Sequence, residues 1–222
     1  KKKLENLTKT KSIELIDFSS WEFSSTLNKK NDDTNSFREK YAVFINETGP
    51  QKPTDDLILH IPRYVTSEKW YPALNNFFAY MEKIFNLRII IASHPKSYEE
   101  GCLDFLGNRT AVMNKTEELI RGSEFVISGN SNALTYAIVY KKPIFFIYSN
   151  ETKRDIATFA AINALSDYFK IKPINIDESV SESQIKSIKN FDEKLYENYR
   201  NNFLTSDPKN KNYQIILEHF NK

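Results

Sequence analysis

Apolar positions are sparse and irregular over residues 1–40, where Lys, Ser, Thr and Asn dominate and one short strand-like run, SIELIDF, precedes Trp21. This span reads as a polar amino-terminal arm or linker. From Tyr41 the pattern changes: short runs rich in β-formers alternate with longer stretches of helical period. YAVFIN at 41–46 predicts the first strand, and the Gly and two Pro residues of the loop that follows forbid regular structure. Trp70, Leu74, Phe77, Phe78, Met81, Ile84 and Phe85, three and four apart, predict a helix over 66–86. LRIIIAS at 87–93 predicts the second strand, a helical segment lies near 97–106, and TAVMN supplies a third short run. KTEELIRG gives one or two helical turns with Thr116 and Gly122 as end signals. Then come a strand at 123–128, a helix at 131–141, a strand at 143–149, a helix over 152–167, a short strand in IKPINI, and two or three further helices. Among these, Phe191, Leu195, Tyr199 and Phe203, four apart, predict one packed stripe.

Strand and helix alternating at this cadence predict an α/β fold: a doubly wound, mostly parallel, Rossmann-like sheet with helices on both faces, occupying 41–222 as one domain. The unbroken apolar character of RIIIA and PIFFIY agrees, because central parallel strands are buried on both sides. With strand order 3-2-1-4-5-6, the crevice of the switch point lies between the strands at 41–46 and 123–128, and ligands bind beyond the carboxyl ends of the strands.

The residues of that rim are the candidates for chemistry. In SEFVISGNSNALTYAIVY, Ser128 ends a strand, Gly129 permits a sharp turn or a close approach, and Asn130 or Ser131 caps a helix whose first turn holds no acid. Two readings follow: an ordinary capped helix, or backbone N–H groups left to receive a phosphate. His94 follows the second strand, and Pro95 biases it away from helix, so its imidazole can donate a hydrogen bond from a strand end. Lys96 and Arg63 could add positive charge there, or be merely solvated. Glu47, Asp55 and Asp56 are the acids of the first rim loop; a carboxylate there could act as a general base, bind a ribose or simply face water.

Composition trims the alternatives. In 222 residues, 31 basic against 29 acidic groups leave a net charge of +2, which does not point to nucleic acid. One cysteine, Cys102, excludes an intrachain disulfide, and no run approaches the roughly 20 apolar residues of a membrane span. Three scattered histidines, His60, His94 and His219, supply no metal-ligand spacing, so no metal is expected. The dinucleotide fingerprint G-x-G-x-x-G is absent. Five N-x-Thr matches, beginning at Asn6, reflect abundant Asn and Thr. The chain reads as cytoplasmic, and its start without methionine points to a longer polypeptide or a removed segment.

Taken together, YAVFINETGP, IIIASHPKSYEE and LIRGSEFVISGNSNALTYAIVYKKPIFFI resemble the carboxy-terminal, donor-binding half of GT-B-fold bacterial surface-polysaccharide transferases. The likeness covers roughly 41–150 and is to the sialyltransferase and polysialyltransferase group, with teichoic-acid polymerases similar in layout. The resemblance implies a glycosyltransferase of capsule or lipooligosaccharide assembly that uses a nucleotide-sugar donor, of CMP or another nucleotide, with no further cofactor. It implies a glycan or glycolipid acceptor and peripheral association with the inner membrane. Carried over by motif, His94 falls in a catalytic place and Pro95, Asn130, Ser131, Ser128 and Thr135 in donor-binding ones; the rim reading itself adds Glu47 as a catalytic candidate and Lys96 and Gly129 as binding candidates. The group often shows Ser-Ser or Ser-Thr where this chain has Asn130-Ser131-Asn132, which leaves the nucleotide open. A GT-B enzyme has two Rossmann-like domains, and this chain has room for one. A polyol-phosphate transferase using a CDP donor and a non-catalytic nucleotide-sugar-binding or scaffold domain are the alternative readings.

Overall fold

The computed structural model describes residues 16–27, 37, 39–47, 50, 62, 64–94, 104–205 and 207–221. Six strands, β1 (Tyr41–Asn46), β2 (Arg88–Ser93), β3 (Ala111–Met113), β4 (Val126–Ser128), β5 (Ile144–Tyr148) and β6 (Ile174–Asn175), form one sheet in the order β3-β2-β1-β4-β5-β6. Every pairing is parallel. The order expected from the sequence therefore holds, and all strand carboxyl ends lie along one edge. All six β1 residues are buried, as are all but the first of β2, because both faces of these strands are covered.

Helix α1 (Trp21–Thr26) precedes the sheet, and α2 (Ser67–Phe85) crosses from β1 to β2. Phe44 meets Phe78 of α2 edge-on at 5.0 Å, which assigns α2 and the even-numbered β1 residues to one face. The crossovers α3 (Thr116–Gly122), α4 (Leu134–Val139) and α5 (Ile156–Tyr168) cover the other. The Tyr41 hydroxyl donates to the carbonyl of Leu119 in α3 at 3.0 Å, and the Tyr140 hydroxyl, just past α4, donates to Glu117 of α3 at 2.7 Å. Phe146 stacks on Phe169, just past α5, with centroids 6.3 Å apart. Helices α6 (Glu182–Ile188), α7 (Glu193–Tyr199) and α8 (Asn212–Phe220) complete the chain.

Two expectations are corrected. The helix predicted over 131–141 begins only at Leu134, because Ser131 to Ala133 form successive tight turns: the N–H groups of Leu134 and Thr135 reach back to the carbonyls of Ser131 and Asn132 at 3.0 Å each. Neither Asn130 nor Ser131 is its cap; the Ser131 hydroxyl instead accepts from the Ala133 N–H at 3.3 Å. In the carboxy-terminal part the chain passes from α7 into a wide π-helical turn, Arg200–Leu204, which alters the helical phase. The fully buried residue there is Tyr196, whose hydroxyl donates to the Lys142 carbonyl at 3.0 Å, while Phe203 of the predicted stripe is exposed. The helix expected near 97–106 lies mostly outside the described residues; Asp104–Leu106 form a single 3₁₀ turn.

Part of the span read as an arm packs on the body. Phe23 is buried, the Ser20 N–H bonds the Leu204 carbonyl at 2.7 Å, and Asn212 at the start of α8 exchanges bonds with Ser19 and Ser24. Among the described residues no helix is long and apolar enough to cross a membrane.

Candidate functional site

Parallel pairing puts the ends of β2, β1, β4 and β5 side by side on one rim. Asn46 and Ser93 are partners in register, so Glu47 and His94, the next residue of each chain, take neighbouring positions just beyond the sheet. The His94 N–H closes the ladder on the Asn46 carbonyl at 3.3 Å. Alternation along β1 puts Glu47 on the α3 and α4 face with Tyr41, and the contacts agree. The Ser128 hydroxyl donates to Glu47 Oε1 at 3.4 Å, and the nearby Asn130 backbone helps to lower the pKa of the same carboxyl.

This contact changes the reading of the rim. The chain between Ser128 and Leu134 contains no acid, as the sequence shows, but the structure brings one from the end of β1 to the Ser128 hydroxyl. Glu47 keeps an exposed side, yet enough protein surrounds its carboxylate that desolvation lifts its pKa to about 7, against the lowering effect of the Ser128 hydroxyl and the Asn130 backbone. Among the described residues no charged group contributes to that shift. A carboxyl that titrates near neutrality beside hydrogen-bond donors can accept or donate a proton at physiological pH.

Ser128 is fully buried, and Thr135 is nearly so in the first turn of α4. Asn130, Ser131 and Thr135 line a hollow of about 390 Å³ between α4 and α5, whose floor is Ile144, Phe146 and Phe169. It has a polar lip and an apolar base, suited to a ligand with a charged end and a flat or apolar body. Gly129 has no positive φ, and a Cβ added there would come no closer than 3.7 Å to its neighbours, the Ile147 carbonyl and Ile162. The close approach expected at Gly129 is thus not required by the protein itself. Gly129→Ala is expected to leave stability unchanged or raise it by up to about 1 kcal/mol, read as the midpoint of a urea titration.

Sequence reasoning missed Asn46 and Ser93 as a pair. They share the α2 face at the end of the sheet, are only 4% and 2% exposed, and among the described residues neither the Asn46 amide nitrogen nor the Ser93 hydroxyl has a hydrogen-bond partner. Unsatisfied buried polar groups cost about 1–3 kcal/mol each, so these two strand-end groups beside the rim are suited to bind a water or a polar ligand atom. The signal was visible as a polar residue closing each of two apolar runs.

Pro95, Lys96, Arg63, Asp55, Asp56 and His60 lie outside the described residues. Among the described residues no group of three or more His, Cys, Asp or Glu side chains could hold a metal ion.

No protein family matches this sequence, and no characterised protein matches it significantly. Among solved structures, a Methanocaldococcus jannaschii UDP-GlcNAc 2-epimerase in complex with UDP-GlcNAc and UDP is similar at 9% identity and a TM-score of 0.43, over 90% of this chain and 51% of that one. S. aureus MnaA, determined with UDP, is similar at 15% identity and a TM-score of 0.44, over 96% of this chain and 56% of that one. The chain spans about half the length of either protein.

Proposed function

We propose that this chain is the donor-binding part of a glycosyltransferase of bacterial surface-glycan assembly, which takes its sugar from a nucleotide-sugar. The observation that carries the reading is the convergence of His94, Glu47 and the Ser128–Ser131 turn on one rim at the β1/β4 switch point, where ligands of open parallel sheets bind. The donor phosphate would take the N–H groups and hydroxyls of the turn, and the nucleoside would lie toward the hollow between α4 and α5. His94 would stabilise the charge that develops on the departing nucleotide, a role for a fixed hydrogen-bond donor that needs no covalent step. The acceptor is a glycan or glycolipid, met at the membrane surface.

Two measurements test this. A thermal-shift screen of the 222-residue chain against CMP, CDP, UDP and GDP is expected to show a rise for at least one of them. A ligand at 100 times its Kd stabilises by about 2.7 kcal/mol. Turnover of nucleotide-sugars by the protein is expected to fall about 10²-fold in His94→Ala. Equal turnover in the variant removes His94 from the site; no shift with any nucleotide removes the donor.

A further inference from the structure

Asn46 and Ser93 close β1 and β2 in register on the α2 face, where the residues two places back, Phe44 and Ile91, are themselves partners and are buried. Among the described residues the Asn46 amide nitrogen and the Ser93 hydroxyl bond nothing, not even each other, although the two residues are only 4% and 2% exposed. The pair is nevertheless shallow. Glu47 and His94, the next residue on each strand, are exposed, so the two orphaned groups stand one residue beneath the surface of the rim.

We propose that Asn46 and Ser93 form a two-point hydrogen-bond site for one neutral hydroxyl of a ligand, and that this hydroxyl belongs to the sugar of a nucleotide-sugar; the second part rests on the donor reading of the rim. The chemistry of the pair selects a hydroxyl. Its oxygen accepts from the Asn46 N–H while its hydrogen goes to Ser93 Oγ, or it accepts from both, so a single group gives each orphan a partner. A carboxylate or phosphate fits poorly, because two neutral groups set over Phe44 and Ile91 do not repay the desolvation of a full charge. An ammonium has no use for the Asn46 N–H, and an apolar group leaves both groups unpaired.

Position along the rim selects the sugar. The hollow proposed for the nucleoside lies against β5, and the turn proposed for the phosphate follows β4; β1 and β2 come next in the sheet, each about 4.8 Å further on. The part of the donor that reaches Asn46 and Ser93 is then the sugar, with its bond to phosphate between the pair and the turn. A site of this kind discriminates by what it leaves unpaired, since a sugar without that hydroxyl buries both groups with no partner.

Ser93→Ala tells a ligand hydroxyl from an enclosed water. Kd is measured by isothermal titration with UDP-glucose, GDP-mannose and CMP-sialic acid, beside UDP, GDP, CMP and the free sugars, and the melting temperature is read without ligand. The variant is expected to raise the Kd of at least one nucleotide-sugar about three- to tenfold while leaving that of the matching nucleotide within about twofold of the parent. It should melt at the same temperature or about 2–4 °C higher, because it deletes an unsatisfied buried group. Asn46→Ala should weaken the same nucleotide-sugar by a similar factor. A nucleotide-sugar that binds Ser93→Ala as tightly as the parent overturns the proposal and leaves the donor reading standing. So does a variant that melts several degrees lower, the mark of a pair that holds a structural water. Equal losses for nucleotide-sugar and bare nucleotide give the pair to the nucleoside and overturn the proposal too. A free sugar that binds the parent more tightly than Ser93→Ala, while no nucleotide or nucleotide-sugar binds, supports the pair as a hydroxyl site and overturns the donor reading. Absence of binding in every arm overturns both.

Discussion

Replacing Glu151 with alanine is expected to cost about 3 kcal/mol of folding stability, seen as a lower urea midpoint at pH 7 with an unchanged slope. Glu151 follows β5 on the rim and is only 7% exposed. Its Oε2 accepts from the Thr66 backbone at 2.7 Å and the Thr66 hydroxyl at 2.8 Å, and its Oε1 from Lys69 at 2.8 Å. Thr66 stands at the N-cap of α2 but makes no cap bond of its own, so a carboxylate 85 residues away closes this 19-residue helix. Lys69 is largely exposed and its ion pair contributes little; the loss comes from a helix start deprived of its acceptor. Burial alone would raise the Glu151 pKa, but the bonds from Lys69 and Thr66 outweigh it and hold the carboxyl below its ordinary value of 4.5. The stabilisation is therefore complete above that value and is lost as pH falls through the depressed one. Glu151→Gln, which keeps an acceptor, should lose less at pH 7 and should flatten the acid limb of the stability curve. A variant that matches the parent at pH 7 would show that α2 is held by packing alone. The pin also bears on the site, since it ties the loop after β5 to the chain that returns from β1.

Much of this arrangement is legible in residue order because parallel sheets impose strict chemistry on their strands. A centre strand buried on both faces has to be apolar throughout, and YAVFIN and RIIIAS are bounded by the polar residues that end them. The strand order supposed for a doubly wound sheet is the one observed, and with it His94, Glu47 and Asn130 share an edge. What could not be read were relations across long sequence distance at the level of single atoms. No local signal says that Glu47 reaches the hydroxyl of Ser128, or that Glu151 rather than Thr66 caps α2. The start of α4 was misplaced for a different reason. Ser-Asn-Ala fits a capped first helical turn, yet the same small polar residues fold equally well into i→i+3 turns, and here the Ser131 hydroxyl chooses the Ala133 N–H. Of the stripe at 191–203, Phe191, Leu195 and Tyr199 pack against the core as expected, and Phe203 leaves it because a π-helical turn breaks the 3.6-residue period on which the prediction depends.

Phe145→Ala should be the most damaging substitution in the sheet, at about 3–5 kcal/mol. Phe145 is wholly buried in β5 on the α2 face, with its ring centroid 4.8 Å from that of Phe125 and 6.1 Å from that of Phe85; Phe85 and Phe125 in turn lie 4.9 Å apart. Three rings from β5, the start of β4 and the end of α2 thus form one cluster, and Lys189 closes it with its ammonium 4.7 Å from the Phe85 centroid. Removing the Phe145 ring leaves a void that the sheet backbone cannot collapse to fill, because Ile144 and Phe146 on either side are pinned by the ladders to β4. Phe145→Leu retains most of the volume and should cost about 1–1.5 kcal/mol. The cluster lies toward the end of the sheet opposite the rim. Phe145→Ala should therefore lower the urea midpoint while leaving nucleotide affinity, measured well below that midpoint, within about twofold of the parent. A loss of affinity as large as the loss of stability would mean that the rim is not held independently of the strand bases, and the Glu151 pin would then be insufficient to fix it.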